Sequence, residues 1–253
     1  KHVRLGNKDK EKKMINEFSR TELLIGTEAE ARVRDASVMV FGVGGVGSHC
    51  IEALARCGVG KLTLIDNDRV SLTNINRQSI AYHSTVGRYK TEVMRERIRD
   101  ICPDICVDTY EMFVLPDNID ALFGQTGKPD YIIDAIDTVS AKIALVELAQ
   151  REHIPIISSM GTGNKLHPEL FRIADLAETR VCPLCRVMRK ELKNRGIIHL
   201  KVLYSEEKPV DTGGRTTGED TGARRSVPGS ISFVPPAAGL IIAGEVIRTL
   251  AGV

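Results

Sequence analysis

The sequence contains no tryptophan, and aromatic residues account for only 4% of its 253 positions. A surface that binds nucleic acid mainly by stacking bases on aromatic rings is therefore not expected. Net charge is also small: 35 Lys and Arg residues against 33 Asp and Glu residues give +2, so any nucleic-acid surface must come from uneven placement of charge. The apolar content of 42% and the charged content of 27% exclude fibrous chains and chains that are disordered throughout.

The chain lacks the cysteine spacing of a disulfide framework, since its six cysteines are scattered, and it shows no secretory leader. Both features predict a cytoplasmic protein with reduced thiols. Cys182 and Cys185 form one C-x-x-C pair, but no cysteine follows them, so we predict no zinc site within one chain. A redox pair and a sulfur-relay thiol remain open for these two residues, beside the favoured interpretation as reduced structural cysteines.

Hydrophobic runs long enough to cross a membrane are scarce. The longest, ISFVPPAAGLIIAGEVIRTLAGV near the end of the chain, is interrupted by Pro235, Pro236, Glu245 and Arg248. We therefore predict a packed C-terminal helix and no transmembrane segment.

What the chain does contain is an alternation of strand and helix patterns. SVMVFG, at 37–42, is a continuous apolar run typical of a parallel strand buried on both faces, and a helix over 46–57 and the strand KLTLID follow it. The alternation continues to the strand IPIISS, after which the elements become shorter and more varied. The sequence predicts an α/β, Rossmann-like fold with an open, mostly parallel sheet and a mixed, partly antiparallel C-terminal extension.

We expect the whole chain, 1–253, to form a single domain. Residues 1–13 are polar and basic and are predicted to form a mobile arm, followed by a short amphipathic helix over 15–24. Residues 206–230 are rich in Gly, Thr and charge and have almost no apolar side chain, which predicts a flexible loop.

A glycine loop lies between the first strand and the helix that follows it. Gly42, Gly44, Gly45 and Gly47 give the pattern G-x-G-G-x-G, which lets the backbone turn tightly and directs a helix N-terminus at a phosphate. Asp66 ends the second strand about 20 residues later, where a carboxylate accepts hydrogen bonds from ribose hydroxyls. The alternative for Asp66 is an acidic cap at a strand end. The loop by itself indicates only a nucleotide-binding α/β fold.

A second polar cluster follows, and a dinucleotide site would have no use for it. It consists of Asp68, Asn74, Asn76, Arg77, Gln78 and Lys90. An Arg and a Lys after the ribose-binding acid suit a triphosphate, whose charge needs more neutralisation than that of a diphosphate. The pattern therefore predicts an ATP site.

Two carboxylates end a later strand in DYIIDAID. Asp134 and Asp137 fall at the carboxyl end of that strand, where open α/β sheets bind ligands, and a carboxylate there could hold Mg²⁺ on the phosphates. One of the two could instead cap the helix that begins near Ser140.

Several segments together resemble a known family. GVGGVGS, LIDNDRVSLTNINRQ, VGRYK and DAIDTVSAK resemble the ubiquitin-activating-enzyme-like (ThiF) superfamily, which includes adenylyltransferases of molybdopterin and thiazole biosynthesis. MGTGNKLHPELFRIADLAET, PLCRVMRKELKNRGI and PGSISFVPPAAGLIIAGEVI are most similar to the tRNA threonylcarbamoyladenosine dehydratases within it. The resemblance covers nearly the whole chain.

The resemblance implies an adenylate-forming enzyme of the ligase class that acts as a homodimer on tRNA. It implies that Arg77, Lys90 and Asp137 carry the chemistry, with Asp137 holding Mg²⁺ on ATP. It also implies that Arg20, otherwise a surface helix charge, reaches the phosphates from a second subunit. Adenylation of the threonyl carboxylate would let the neighbouring carbamoyl group close a ring with loss of water, so cysteines should be dispensable. No histidine forms a ligand-spaced pair, and none is assigned a catalytic role.

Basic residues are concentrated in one segment and one loop. With the resemblance, we predict that Arg186, Arg189, Lys190, Lys193, Arg195, Arg224 and Arg225 bind tRNA, mainly through phosphate and shape contacts. Without it, such a run is usually a solvated helix face.

Other functions remain open from the sequence. The main alternative is an adenylyltransferase that activates the C-terminus of a ubiquitin-like sulfur-carrier protein, with a sulfur-transfer protein as partner. The absence of a second C-x-x-C counts against it. A nicotinamide oxidoreductase and a non-catalytic nucleotide sensor would both leave Arg77, Lys90 and Asp137 without a role.

Overall fold

The structure, a computed structural model, describes residues 15–215 and 228–253. The strands are β1 (Ser37–Phe41), β2 (Lys61–Ile65), β3 (Cys106–Tyr110), β4 (Tyr131–Asp134), β5 (Ile156–Ser159), β6 (Phe171–Asp175) and β7 (Lys201–Ser205). The helices are α1 (Ser19–Ile25), α2 (Thr27–Asp35), α3 (Gly47–Arg56), α4 (Lys90–Ile101), α5 (Ile119–Thr126), α6 (Val139–Arg151), α7 (Pro183–Lys193) and α8 (Val234–Ala251).

All seven strands form one sheet in the order β3-β2-β1-β4-β5-β7-β6. The pairs from β3 to β7 are parallel, and only β6 runs antiparallel, against β7. Strands β1, β2, β4 and β5 are buried along almost their whole length, as their continuous apolar runs predict. The predicted Rossmann-like sheet with a mixed C-terminal extension is confirmed.

Helices cover both faces of the sheet. One apolar cluster packs α2, α3, α4 and α8 against one face, and a second packs α5, α6 and α7 against the other. The core of the first cluster is formed by residues such as Ile51, Leu54 and Val246, all fully buried. With both faces covered, the carboxyl edge of the parallel strands is left to bind a ligand.

Element boundaries differ from the sequence predictions where glycine intervenes. The helix predicted over 15–24 is present but begins later, since α1 spans Ser19–Ile25; α2, which follows Gly26 at φ 87°, was missed by the sequence analysis. Helix α4 begins at Lys90, shortly after Gly87, whose φ of 89° lies outside the helical region.

The predicted packing of the C-terminal helix is confirmed. Helix α8 lies against α3 and α2, and Ala238, Ile242 and Val246 are fully buried on its inner side. Gly239 allows α3 to approach closely, since a Cβ there would lie 2.3 Å from the carbonyl oxygen of Val46. By length and composition alone α8 could also span a membrane, and half of it is buried inside the fold.

Two predicted mobile segments fall wholly or partly outside the described residues. The arm at 1–13 lies outside them, as does 216–227 within the predicted loop at 206–230. The described ends of that loop are anchored to one segment: Val210 donates to the Asn164 carbonyl at 2.7 Å, and Asn164 donates to the Gly229 carbonyl at 2.8 Å. Both ends are therefore held beside the carboxyl edge of the sheet.

Candidate active site

A cavity of about 520 Å³ lies at the carboxyl ends of β1, β2, β3, β4 and β5. It lies beside β1, where the strand order reverses: the chain passes from β1 to β2 and β3 on one side and then returns to β4 on the other side of β1. Doubly wound sheets bind ligands at this position. The predicted site residues that line it are Gly42, Gly44, Gly45, Asp66, Asp68, Asn74, Arg77, Gln78, Lys90 and Asp137. Gly47, Asn76 and Arg20 are not among its described lining residues.

The glycine loop forms one wall of the cavity, and two of its glycines leave no room for a Cβ. Gly42 has φ 93°, and a Cβ there would lie 2.7 Å from the Ala135 carbonyl oxygen. A Cβ on Gly47 would lie 1.8 Å from the Gly42 carbonyl oxygen. Gly47 thus serves packing at the start of α3, and Val46, which precedes this helix, lines the cavity.

Asp66 joins the glycine loop to the end of β2. Its Oδ2 accepts from the Val43 N–H at 2.6 Å and its Oδ1 from the Asp68 N–H at 2.8 Å. Burial raises the pKa of the Asp66 carboxyl, and attraction to the Lys90 ammonium opposes that rise. Because a carboxylate has about four acceptor positions, Asp66 can still accept from a ribose hydroxyl while holding the loop.

Lys90 is the first residue of α4 and is only 5% exposed. Its Nζ donates to Asp68 Oδ2 at 2.6 Å, and the Asp68 side chain is 57% exposed. The ammonium is therefore fixed at the cavity wall, while its partner can move aside into solvent. A phosphate that enters the cavity meets a cation that is already positioned.

The segment after β2 presents Arg77 and Gln78 to the cavity. Arg77 is half-buried, and its guanidinium donates to the Thr73 carbonyl at 3.0 Å and to Asn76 Oδ1 at 2.8 Å. Gln78 is buried, and its Oε1 is an acceptor with no hydrogen-bond partner among the described residues. A buried orphan acceptor is costly, so a donor on a ligand is expected there.

Asn74 and Asn76 shape this segment. Asn74 Oδ1 accepts from the Ser71 N–H at 3.1 Å and caps a short turn. Asn76 Nδ2 donates to the Ser230 carbonyl at 3.0 Å and so connects the segment with the C-terminal side of the cavity. His49 on α3 donates from Nε2 to the Arg77 carbonyl at 3.2 Å, and burial lowers the pKa of this histidine. The histidine holds the backbone of Arg77 in place.

The two carboxylates after β4 have different surroundings. Asp137 is exposed and lines the cavity, and its nearest side-chain partner is the Thr138 hydroxyl at 3.4 Å. Asp134 is fully buried, accepts from Lys142 Nζ at 3.0 Å and also contacts the Ser158 hydroxyl. Asp134 therefore has a structural partner, and neither carboxylate caps α6.

Lys142 was missed by the sequence analysis. It is fully buried on α6, and besides Asp134 it donates to the Ser158 hydroxyl at 3.2 Å and the Ser159 carbonyl at 2.8 Å. Asp134 Oδ1 in turn accepts from the Ile136 N–H at 3.2 Å. This network connects β4, β5 and the cavity segment that carries Asp137. The sequence did offer a signal for this residue, because a lysine in the first turn of an otherwise apolar helix needs a buried partner.

Other lining residues could not be assigned from the motifs alone. They come from the end of β5 and the segments after β3 and β5, from α7, from the end of the loop at 206–230 and from the start of α8. They include Met112, Phe113, Val114, Ser159, Met160, Gly161, Thr162, Gly163, Leu184, Pro228, Gly229, Ser230 and Pro235. The rule that ligands bind at carboxyl strand ends could have found those after β3 and β5. The residues at 228–235 could not have been found in this way, because they follow the other lining residues by more than 40 positions in the chain.

Three of the seven predicted tRNA-binding residues are exposed on α7. Arg186, Lys190 and Lys193 are exposed. Arg189 is half-buried and donates to the Thr179 carbonyl at 2.8 Å. Arg195 pairs with Glu147 at 3.2 Å and with Glu191 at 3.1 Å. Arg224 and Arg225 lie outside the described residues.

The site's chemistry fits a nucleotide with a divalent cation. Over residues 15–215 and 228–253, no cluster of three or more His, Cys, Asp or Glu side chains could hold a metal ion by itself. Mg²⁺ is typically bound by one or two carboxylates together with substrate phosphates, a role that the exposed Asp137 carboxylate can fill. The orphan Gln78 acceptor and the glycine loop fit the nucleotide.

Comparison with known proteins agrees with this geometry. A tRNA threonylcarbamoyladenosine dehydratase of Bacillus subtilis is 41% identical over 244 residues, which cover 94% of this chain and 95% of the relative. One of Escherichia coli is 44% identical over 177 residues, covering 70% of this chain and 65% of the relative. The crystal structure of Escherichia coli tRNA N6-threonylcarbamoyladenosine dehydratase in complex with ATP matches with a TM-score of 0.83 at 34% identity, over 93% of this chain and 94% of that one.

The family resemblance in the motifs is thereby confirmed over nearly the whole chain. The ThiF family model matches residues 18–253, which include every element of the fold from α1 to α8. The protein belongs to the ThiF family, among the relatives named tRNA threonylcarbamoyladenosine dehydratases.

Proposed function

We propose that this protein is an ATP-dependent tRNA threonylcarbamoyladenosine dehydratase. One observation carries the proposal: a single cavity gathers the glycine loop, Asp66, Lys90, Arg77 and Asp137 at the carboxyl edge of the sheet. The relatives with that name, one of them seen with ATP, support it. We propose further that 1–253 acts as one adenylating domain of the ligase class.

The cavity residues would bind the ribose, the phosphates and the associated Mg²⁺ of ATP. Asp66 would accept from the ribose hydroxyls, and the backbone N–H groups around Gly44 and Gly45 would face the phosphates. Lys90 and Arg77 would neutralise the phosphate charge, with Asp68 releasing Lys90 toward the nucleotide. Asp137 would hold Mg²⁺, which when bound supplies further neutralisation of the phosphates.

Activation of the substrate carboxylate is the chemical task. A carboxylate reacts poorly as an electrophile because its leaving group would be oxide or hydroxide. Attack of its oxygen on the α-phosphorus of ATP forms an acyl-adenylate and releases pyrophosphate, and the developing charge is stabilised by the fixed cations of Lys90 and Arg77. An atom of the substrate's own carbamoyl group then attacks the acyl carbon and expels AMP, closing the ring with net loss of water. Intramolecular attack needs no enzyme nucleophile.

The test is to incubate the protein with ATP, Mg²⁺ and tRNA carrying threonylcarbamoyladenosine, then digest the tRNA and weigh the nucleosides. We expect the modified adenosine to lose one water only when ATP is present. Unchanged nucleosides, from protein that binds ATP and adenylates the C-terminus of a sulfur-carrier protein, would replace this function with the alternative. In that case a sulfur-transfer protein would be the partner to seek.

The exposed cations of α7 are proposed to bind the tRNA. Arg186, Lys190 and Lys193 can reach phosphates without giving up a partner in the described structure, and phosphate contacts provide most non-specific affinity. Arg189 and Arg195 would have to leave Thr179 and the two glutamates first. Arg224 and Arg225 are further candidates.

An enzyme with this substrate would act in the cytoplasm.

We propose that α1 pairs with a second copy of the chain. The helix buries none of its own residues, and Leu23 and Leu24 are 89% and 86% exposed beside Arg20. Ile15, just before α1, is 92% exposed. Adjacent exposed apolar side chains mark an interaction surface. A homodimer that covers them would also carry Arg20 to the partner's nucleotide.

Replacing Leu23 and Leu24 with aspartate is expected to convert the dimer to a monomer, because two charges would have to be desolvated in the interface. Light scattering after size exclusion measures the mass. The rate of dehydration should fall when the dimer is lost, since Arg20 would no longer reach a second active site. Ile198→Asp, at a 59% exposed residue elsewhere on the surface, is the matched control and should leave both unchanged. A double variant that remains dimeric would reject this interface.

A further inference from the structure

Cys182 and Cys185 lie outside the proposed chemistry, yet the structure places them together behind the cavity wall. Cys182 immediately precedes α7, an 11-residue helix, and Cys185 lies in its first turn. Cys182 is 4% exposed and Cys185 fully buried, and both are free thiols. Two cysteines separated by two residues at a helix N-terminus are the arrangement of reactive thiol–disulfide pairs.

The surroundings of Cys182 favour a thiolate. The Cys185 thiol donates to the Cys182 sulfur, and this contact, together with the backbone N–H groups of Cys185, Leu184 and Gly161, lowers the pKa of Cys182. The same contact raises the pKa of Cys185. Burial lowers the pKa of Lys165, which is 4% exposed, and attraction to the two cysteines and Glu207 opposes that decrease. The pair is thus an activated sulfur beside a protonated second thiol.

The pair is connected directly to the cavity. Gly161, whose N–H faces the Cys182 sulfur, lines the cavity, and so does Leu184 between the two cysteines. Two residues after Gly161, Gly163 lies against Pro228, and the Asn164 N–H donates to the Gly229 carbonyl. Both partners belong to the end of the loop at 206–230. A change in the charge or bonding of Cys182 therefore acts on residues that shape the cavity.

We propose that Cys182 and Cys185 form a redox site in the wall of the cavity, where a small peroxide oxidises the two thiols to a disulfide and thereby slows the enzyme. A small oxidant is required because Cys182 is only 4% exposed, too little for another protein to reach its sulfur. The effect on rate rests on the proposed function, whereas formation of the disulfide does not.

The chemistry balances with hydrogen peroxide as the oxidant. The Cys182 thiolate attacks one peroxide oxygen, the O–O bond breaks, hydroxide leaves, and the sulfur becomes a sulfenic acid. The Cys185 sulfur then attacks the Cys182 sulfur, the S–O bond breaks, and the hydroxyl leaves as water with the thiol proton. One disulfide forms, two sulfurs are oxidised, and one peroxide is reduced. The Gly161 N–H then no longer faces a thiolate.

The test compares reduced protein with protein treated with hydrogen peroxide. Peptide mass spectrometry should show that the peptide containing both cysteines has lost two hydrogen atoms, and dithiothreitol should restore them. We expect the dehydration rate to fall about tenfold and to recover on reduction, since a misplacement of about 1 Å can cost about 10²-fold and a cavity wall displaced by less should cost less.

Two variants make the test decisive. Cys182→Ser/Cys185→Ser should work at a near-normal rate and should not respond to peroxide, and Cys185→Ala is the substitute if the double variant does not fold. Cys106→Ser removes the exposed cysteine and should respond like the parent. Peptides that keep both thiols, a disulfide that leaves the rate unchanged, or a double variant as sensitive as the parent would overturn the proposal. A disulfide in protein with no dehydration activity at all would instead reject the proposed function.

Discussion

Replacing Arg77 or Asp137 with alanine is expected to lower the rate of ATP-dependent dehydration by about 10²–10³-fold, with the fold intact. In the proposed mechanism each side chain supplies charge, Asp137 through Mg²⁺, where negative charge develops on the phosphates, and loss of one such group costs rates of this order. Arg77 is half-buried and Asp137 exposed, and neither belongs to the apolar core. The decrease should appear mainly in kcat, because the interactions are strongest in the transition state.

The matched control for Arg77 is Arg69→Ala. Arg69 stacks on the Tyr89 ring at 3.7 Å and donates to the Gly87 carbonyl at 2.8 Å, but it does not line the cavity. It should retain the parent rate. Arg77→Lys should restore only part of the activity, since an ammonium keeps the charge but not the planar donor set. Near-normal turnover of Arg77→Ala would remove the mechanism proposed for this site.

Replacing Lys142 with methionine is expected to lower the free energy of unfolding by about 3–5 kcal/mol, because the Asp134 carboxylate would remain buried without its counter-charge. Both side chains are fully buried and 3.0 Å apart. For a domain with a free energy of unfolding of about 5–15 kcal/mol, that is a large fraction of the total. Urea unfolding followed by circular dichroism measures it, since the chain has no tryptophan to report.

The double variant Asp134→Asn/Lys142→Met separates charge from shape. Removing both charges should recover much of the loss, because no uncompensated charge stays in the core. If the double variant is as unstable as Lys142→Met alone, the ion pair does not account for the effect. Retained stability in Lys142→Met would show that Asp134 finds another partner or becomes protonated.

Most of the nucleotide site was predictable because its signals are local. A glycine loop between a strand and a helix, an acid at the next strand end and a lysine at a helix start are each defined by residues near in sequence. Asp66 and Lys90 line the cavity as the pattern predicts. The role of Asn76 was not visible, because Ser230, 154 positions away, is brought to it only by packing of the C-terminal segment.

The boundaries of the N-terminal helices were mispredicted for a different reason. Apolar periodicity extended the first helix back to residue 15, whereas α1 begins at Ser19, and α2, which follows Gly26 at φ 87°, was not predicted. A glycine inside a helical pattern permits this conformation without requiring it. Packing of Ala29 and Val33 into the core, which decides the second helix, depends on residues of α8 that lie more than 200 positions away.

The sequence by itself determined the sheet type, the family and most of the charged groups of the nucleotide cavity, because strand burial, glycine turns and strand-end acids leave short-range patterns. Only the tertiary structure decided which of two carboxylates faces the cavity, which cations of α7 are exposed and where the two cysteines lie. Those outcomes depend on contacts between distant segments, in which burial and desolvation select one partner among several of the same chemical type.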